Sequence, residues 1–174
     1  PNRKRFVAFH PMWGTENSGP KAAQKESFAG RAAVICDRED SEQDALALVE
    51  NIAKNLEMHL IYMNADAHDV HTAYISHISH ITSYALANTV LEKEREEDTI
   101  FQLASSGFSS TVRLAKSHPE MWVPIFKQNK ENVLDVLNEH ITQLRKFKSA
   151  LEKENFELLE ELIKNANKIR GILK

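Results

Sequence analysis

Apolar residues come in short runs over the first sixty positions and then change to helical spacing. "RFVAFH" (Arg5 to His10), "AAVICD" (Ala32 to Asp37) and "MHLIYM" (Met58 to Met63) are brief apolar runs bounded by polar or glycine-containing segments, which predicts three strands. "REDSEQDALALVENIAKNL" lies between the second and the third. Its Ser41 is the expected N-cap, Gln43 and Asp44 fall in the first turn, and apolar residues recur at helical spacing from Ala45 to Leu56. Strands interleaved with a helix suggest the tail of an α/β sheet.

From Asn64 glycine and proline nearly vanish. The pattern predicts one long helix from Asp66 to about Glu96, capped by Asn64 or Asp66, and a short helix near Thr99 to Leu103. "SSGFSSTVRLAKSHPEMW" breaks at Ser105-Ser106-Gly107, restarts near Ser109 or Ser110, and breaks again before Pro119, which suits the first turn of the next helix. Two amphipathic helices follow, with a break near Glu154-Asn155. Leu134, Leu137, Ile141, Leu144, Phe147 and Leu151 form one stripe; Phe156, Leu159, Leu162, Ile163 and Ile169 form another. The expected fold is mostly α: a small α/β remnant over 1–64, then an all-helical domain over 65–174. Its wide apolar stripes exceed what so short a domain easily buries. Dimerisation through the C-terminal helices is one remedy, and a self-contained monomeric bundle is the other.

Composition narrows the function classes. The chain has 174 residues with 22 Lys+Arg against 25 Asp+Glu, a net charge of −3, which gives no electrostatic case for nucleic acid. No apolar run approaches the roughly 18 residues of a membrane span, and the start, Pro-Asn-Arg-Lys-Arg, lacks a signal-peptide apolar region. The single cysteine, Cys36, fits a reducing cytoplasm. A chain that begins with Pro1 almost inside a strand is expected to be the C-terminal piece of a longer protein.

Three stretches carry chemistry. In "AHDVHTAYISHISH" the histidines are His68, His71, His77 and His80. On a straight helix, at about 100° per residue, the first two point nearly opposite to the last two, so no four-histidine metal site is expected. The same wheel puts Asp69, Ser76, His80 and Ser83 in one narrow arc. Such a polar stripe is a solvent edge, a set of interhelix hydrogen bonds, or the wall of a ligand cleft. In "SSGFSSTVRLAK", Arg113 is expected one turn into a helix, where the dipole disfavours it. It then needs a local Asp or Glu, or a carboxylate ligand held bidentately. Trp122 reads as core packing. In "HPMWGTENSG", His10 ends a strand, where open α/β sheets place ligands. It is either a strand-capping residue or a general base working near neutral pH. Gly14 and Gly19 allow close backbone approach, and Glu16 can return toward His10 or toward a cation.

Taken in order, "HPMWGTENSG", "AHDVHTAYISHISH" and "SSGFSSTVRLAKSHPEMW" resemble the prephenate dehydrogenase family, which includes arogenate and cyclohexadienyl dehydrogenases. The family pattern runs HPMxGxExSG, EHD, SHLPH and GGFxDxTRIAxSxPxMW, and the match extends from His10 to Trp122. The resemblance implies a nucleotide-binding domain followed by a helical dimerisation domain. It implies oxidation of prephenate, or of arogenate, with NAD or NADP, and loss of the ring carboxylate as CO2; a non-catalytic helical dimerisation or regulatory module is the alternative. It implies His10 as the base at the ring hydroxyl and Arg113 as the ring-carboxylate clamp. Glu16 resembles the acid that shapes access, Ser76 and His80 match pocket-lining positions, and Thr15 and Trp122 match further pocket positions. The cofactor-binding residues are then expected upstream of Pro1, the chain alone is expected to be inactive, no metal is expected, and tyrosine is a plausible inhibitor sharing the pocket. Departures from the pattern include Ala67 for the acid of EHD, Ser79 for the proline of SHLPH, Ser106 for the first glycine of GGF, and Ser110 for the aspartate near Arg113.

Overall fold

A computed structural model describes residues 3–17, 19–97 and 99–173. Three strands, β1 (Ala8–Pro11), β2 (Ala32–Cys36) and β3 (His59–Met63), form a sheet in the order β1-β2-β3. β1 runs antiparallel to β2, with His10 opposite Val34, and β3 runs parallel to β2. β2 is the middle strand, which is why its apolar run is unbroken: Ala33, Val34, Ile35 and Cys36 are all buried. Helix α1 (Gln43–Asn55) makes the crossover from β2 to β3, and its Ala53 packs with Ala33 and Met58 in the sheet's core.

Two local expectations change here. The first strand starts at Ala8 rather than Arg5, because Arg3–Arg5 forms a 3-10 turn from which Arg5 reaches Glu42 at 3.1 Å and Asp44 at 2.6 Å. That pair sits at the first turn of α1, where the acids already suit the helix dipole. Ser41 does not cap α1. Glu42 holds the cap position, and the Ser41 hydroxyl donates instead to the Phe6 carbonyl at 3.0 Å.

The helical part begins with α2 (Ala65–Thr72), capped by Asn64, whose Oδ1 accepts the Ala67 N–H at 2.7 Å. The Asp37 carboxylate accepts the Ala65 N–H at 3.1 Å and ties this helix start to the end of β2. A π-helical turn, Ala73–His77, joins α2 to α3 (Ile78–Glu94), so the long helix is continuous but not uniform. After a 3-10 turn at Ile100–Leu103 come α4 (Ser106–Thr111), a 3-10 turn at Arg113–Lys116, and α5 (Pro119–Gln128), with Pro119 in its first turn as expected. The helix restart at Ser106 is earlier than the serines suggested. Arg113 therefore follows the C-terminal end of α4, where the dipole favours a cation.

Helices α6 (Lys130–Glu152) and α7 (Phe156–Asn167) close the chain. Glu154 takes a left-handed conformation (φ 51°) between them, and Asn155 caps α7 by accepting the Leu158 N–H at 3.0 Å. The buried face of α6 is Val133, Val136 and Ala150, while Leu134, Leu144 and Leu151 of the predicted stripe are exposed, as are Phe156 and Ile163 of α7. Among the described residues no helix is long and apolar enough to cross a membrane.

Candidate active site

The sheet and the helices meet in a cleft of about 530 Å³ lined by the end of β1 and its loop, by α2 through α3, and by α5. Five of the seven site residues that the family resemblance implies line it together: His10, Thr15, Ser76, His80 and Trp122. They come from segments more than a hundred positions apart. Their meeting depends on the register of β1, on the phase of the long helix, and on the return of α5 against α3.

The helix phase is the part that simple periodicity misses. On an unbroken α-helix, His68 and His80 lie about 120° apart. The π turn inserts a residue, and the phase falls back by one residue's rotation, roughly 100°. His68, Thr72, Ser76, His77 and His80 consequently all border the cleft. The expectation that His68 faces away from His77 and His80 is thus overturned. A repeat of four, 68-72-76-80, was the signal that could have found it. His71 lies outside the lining and is exposed. Ser83, placed in the polar stripe, is a packing residue: it is 1% exposed, and its Oγ accepts the Ala115 N–H at 3.0 Å.

Each imidazole has defined partners. His10 Nδ1 lies 2.8 Å from His68 Nε2, and His68 Nδ1 lies 2.9 Å from the Asp69 carboxylate. The His80 ring stacks on Trp122 with centroids 3.4 Å apart, and its Nδ1 donates to the Ser76 carbonyl at 3.1 Å. His77 is edge-on to Trp122 and Phe126. Asn129, at the α5–α6 junction, is 9% exposed and uses its amide to join the elements. It donates to the Asp69 carbonyl at 2.7 Å and to His77 Nδ1 at 3.3 Å.

Crowding by surrounding atoms pushes the pKa of His10 down, and the neighbouring His68 adds to this. His77 and His80 are also pushed down, in both cases chiefly by burial, with a further push from His80 on His77 and from Arg113 on His80. All three are neutral at pH 7, so they offer lone pairs and N–H donors rather than positive charge.

Positive charge comes from the rim. Arg113 and Glu16 flank the lining residues Leu114 and Thr15 and form an ion pair at 2.7 Å. The Glu16 carboxyl is held below its usual range first by a backbone N–H and then by Arg113. Glu16, 97 positions away in the chain, is the acid that pairs with Arg113. Ser110, which stands where the family pattern has an aspartate, donates instead to the Gly107 carbonyl at 3.0 Å. The Arg113 side chain stays half exposed, and so remains open to an incoming anion. Among the described residues no group of three or more His, Cys, Asp or Glu is arranged to hold a metal ion.

Residues 64–165 match the family model for the prephenate dehydrogenase dimerization domain, and residues 1–62 match that for the prephenate dehydrogenase nucleotide-binding domain. The chain belongs to the prephenate dehydrogenase family. It is 31% identical over 170 residues to the prephenate dehydrogenase of Bacillus subtilis, covering 98% of this chain and 46% of that protein. It is 30% identical to the cyclohexadienyl dehydrogenase of Zymomonas mobilis, covering 97% and 58%. Its fold is similar to the crystal structure of the Aquifex aeolicus prephenate dehydrogenase in complex with hydroxyphenyl propionate and NAD+, with a TM-score of 0.88 and 30% identity over 98% of this chain and 60% of that one. The chain thus spans about half the length of the curated relatives it matches.

A dinucleotide needs backbone N–H groups and close-packed glycine around its pyrophosphate. The described residues carry no GxGxxG turn between a strand and a helix. The one helix that follows β2, α1, opens amid Glu39, Asp40, Glu42 and Asp44, which repel phosphate.

Proposed function

We propose that the whole protein catalyses the oxidative decarboxylation of prephenate to 4-hydroxyphenylpyruvate with NAD or NADP, and that this chain supplies the substrate side of the site. The observation that carries this reading is the convergence of His10, Ser76, His80 and Trp122 on one cleft with Arg113 at its rim. The cleft is large enough for a six-membered ring with its side chain, and drug-sized sites start at about 300 Å³.

His10 is the proton acceptor. Being neutral at pH 7, its imidazole can take the proton of the ring hydroxyl as that carbon is oxidised to the carbonyl level. Arg113 exchanges part of its pairing with Glu16 for a substrate carboxylate, a bidentate geometry that lysine could not supply. Glu16 controls access at the rim. The His80–Trp122 stack forms a flat wall for the ring, and Ser76 and Thr15 offer hydroxyls to the substrate's polar atoms. The hydride acceptor is bound outside the described residues, so the chain alone gives no turnover.

The domain division in this reading is 1–64 for the nucleotide-binding remnant and 65–174 for the helical domain. The exposed apolar faces of α6 and α7, including Leu144, Leu151, Phe156 and Ile163, meet a second copy in a homodimer. The enzyme works in the cytoplasm, and tyrosine, which shares the product's phenol ring, competes for the cleft.

The test is a rate assay on the full-length protein, following NADH and NADPH formation with prephenate and with arogenate beside a His10→Ala variant. Turnover of prephenate that falls by at least about a hundredfold in the variant supports the reading. Turnover of arogenate alone changes the substrate. Turnover of neither, or a variant as active as the parent, refutes it.

A further inference from the structure

The hydrogen-bond order behind His10 fixes a proton position. A carboxylate oxygen accepts, so His68 donates to Asp69 Oδ1 from Nδ1 across 2.9 Å. A neutral imidazole with its proton on Nδ1 carries its lone pair on Nε2. His68 Nε2 therefore accepts across the 2.8 Å contact, and His10 must donate from Nδ1. That leaves the lone pair of His10 on Nε2, the nitrogen not engaged by His68, on a ring that lines the cleft.

We infer that His68 and Asp69 are positioning residues for His10: together they hold it in the one tautomer whose basic nitrogen is turned to the cleft. This rests on His10 being the proton acceptor of the proposed reaction. The alternative order, with His68 doubly protonated, would make His10 an acceptor at Nδ1 and a donor at Nε2, and a donor cannot take up the hydroxyl proton.

The surrounding contacts support a built device rather than a chance contact. The His68 side chain is only 18% exposed, and it sits edge-on to His10 with ring centroids 5.1 Å apart. The Asp69 backbone is pinned independently of its side chain, because its carbonyl accepts from Thr72 Oγ1 at 3.2 Å and from Asn129 Nδ2 at 2.7 Å. Neither bond is lost when the carboxylate is removed. The π turn that follows α2 faces the same cleft, so helix phase and tautomer control serve one site.

The test uses the full-length enzyme with 15N-labelled histidine. Long-range proton–nitrogen NMR spectra report which ring nitrogen of His10 carries the proton, with its signals assigned by their loss in His10→Gln. The wild type is expected to show a single Nδ1–H tautomer. Asp69→Ala and His68→Leu are each expected to give a mixture of the two tautomers. Each should lower kcat by about ten- to a hundredfold, the range for partners one step removed from a reacting group, with KM little changed. The double variant should fall no further than His68→Leu alone, because both residues act through one path. Wild-type His10 protonated on Nε2, or an unchanged single tautomer in both variants, overturns the inference. So does a double variant whose loss is the product of the two single losses. Absence of turnover in the wild type would instead remove the dehydrogenase reading, while the spectra would still decide the tautomer.

Discussion

Ser83→Ala tests how the helix that walls the cleft holds the turn that carries Arg113. Ser83 is among the most deeply buried polar residues of the chain, at 1% exposure, and its Oγ accepts the Ala115 N–H at 3.0 Å. Removing a buried acceptor costs about 1–3 kcal/mol when the donor is left with nothing. Here the donor keeps a second partner, since the same N–H also reaches the Val112 carbonyl at 3.0 Å inside the turn. The loss is then one arm of a shared bond, about 1 kcal/mol, plus a void too small to matter much. For a chain of this size that corresponds to a drop in Tm of roughly 2–4 °C. Ala115 lies two residues after Arg113, so a loosened turn should also weaken carboxylate binding. In the full-length enzyme KM should rise about three- to tenfold with kcat nearly unchanged, as for an interaction made equally in ground and transition states. Thermal melting followed by helical circular dichroism, together with steady-state kinetics, measures both. A loss above about 2 kcal/mol would mean that the N–H has no second partner in solution. An unchanged Tm and KM would mean that Ser83 does not hold the turn, and the reasoning fails.

The remaining predictions bear on packing, charge and assembly. Trp122→Ala removes a ring that is 6% exposed and stacked on His80; it should destabilise the fold by about 3–5 kcal/mol in urea titration, and a loss under about 1 kcal/mol would contradict that packing. The three cleft histidines have folded-state pKa values below the ordinary imidazole value of about 6.5, so the unfolded chain takes up protons there that the fold refuses. Stability should therefore be level above about pH 6.5 and fall between about pH 6.5 and 5, before most carboxylates titrate; a Tm that stays flat or rises on acidification over that window contradicts it. Phe156→Glu charges a residue that is 63% exposed in the single chain; if the proposed homodimer forms through this face, it should leave helical content unchanged and halve the mass in sedimentation, and an unchanged mass would refute that contact.

The sequence by itself determined the element types and the division between a short sheet segment and long helices. Apolar period and capping residues are local, and Asn64, Pro119 and Asn155 cap or open helices as their chemistry dictates. The ordered motifs also pointed to His10, Thr15, Ser76, His80 and Trp122, which the fold brings to one cleft. Tertiary structure decided what depends on distant partners. Ser41 lost its capping role because the Phe6 carbonyl offered another bond, and the expected strand start gave way to the pull of Glu42 and Asp44 on Arg5. Glu16 became the partner of Arg113 across 97 positions, which no local pattern encodes. The π turn decided most. One inserted residue rotates every side chain beyond it by about 100°, enough to bring His68 to the face of His80 and into contact with His10. A helical wheel assumes a uniform pitch. The pitch of a particular turn is set by what packs against it, and only the assembled fold supplies that.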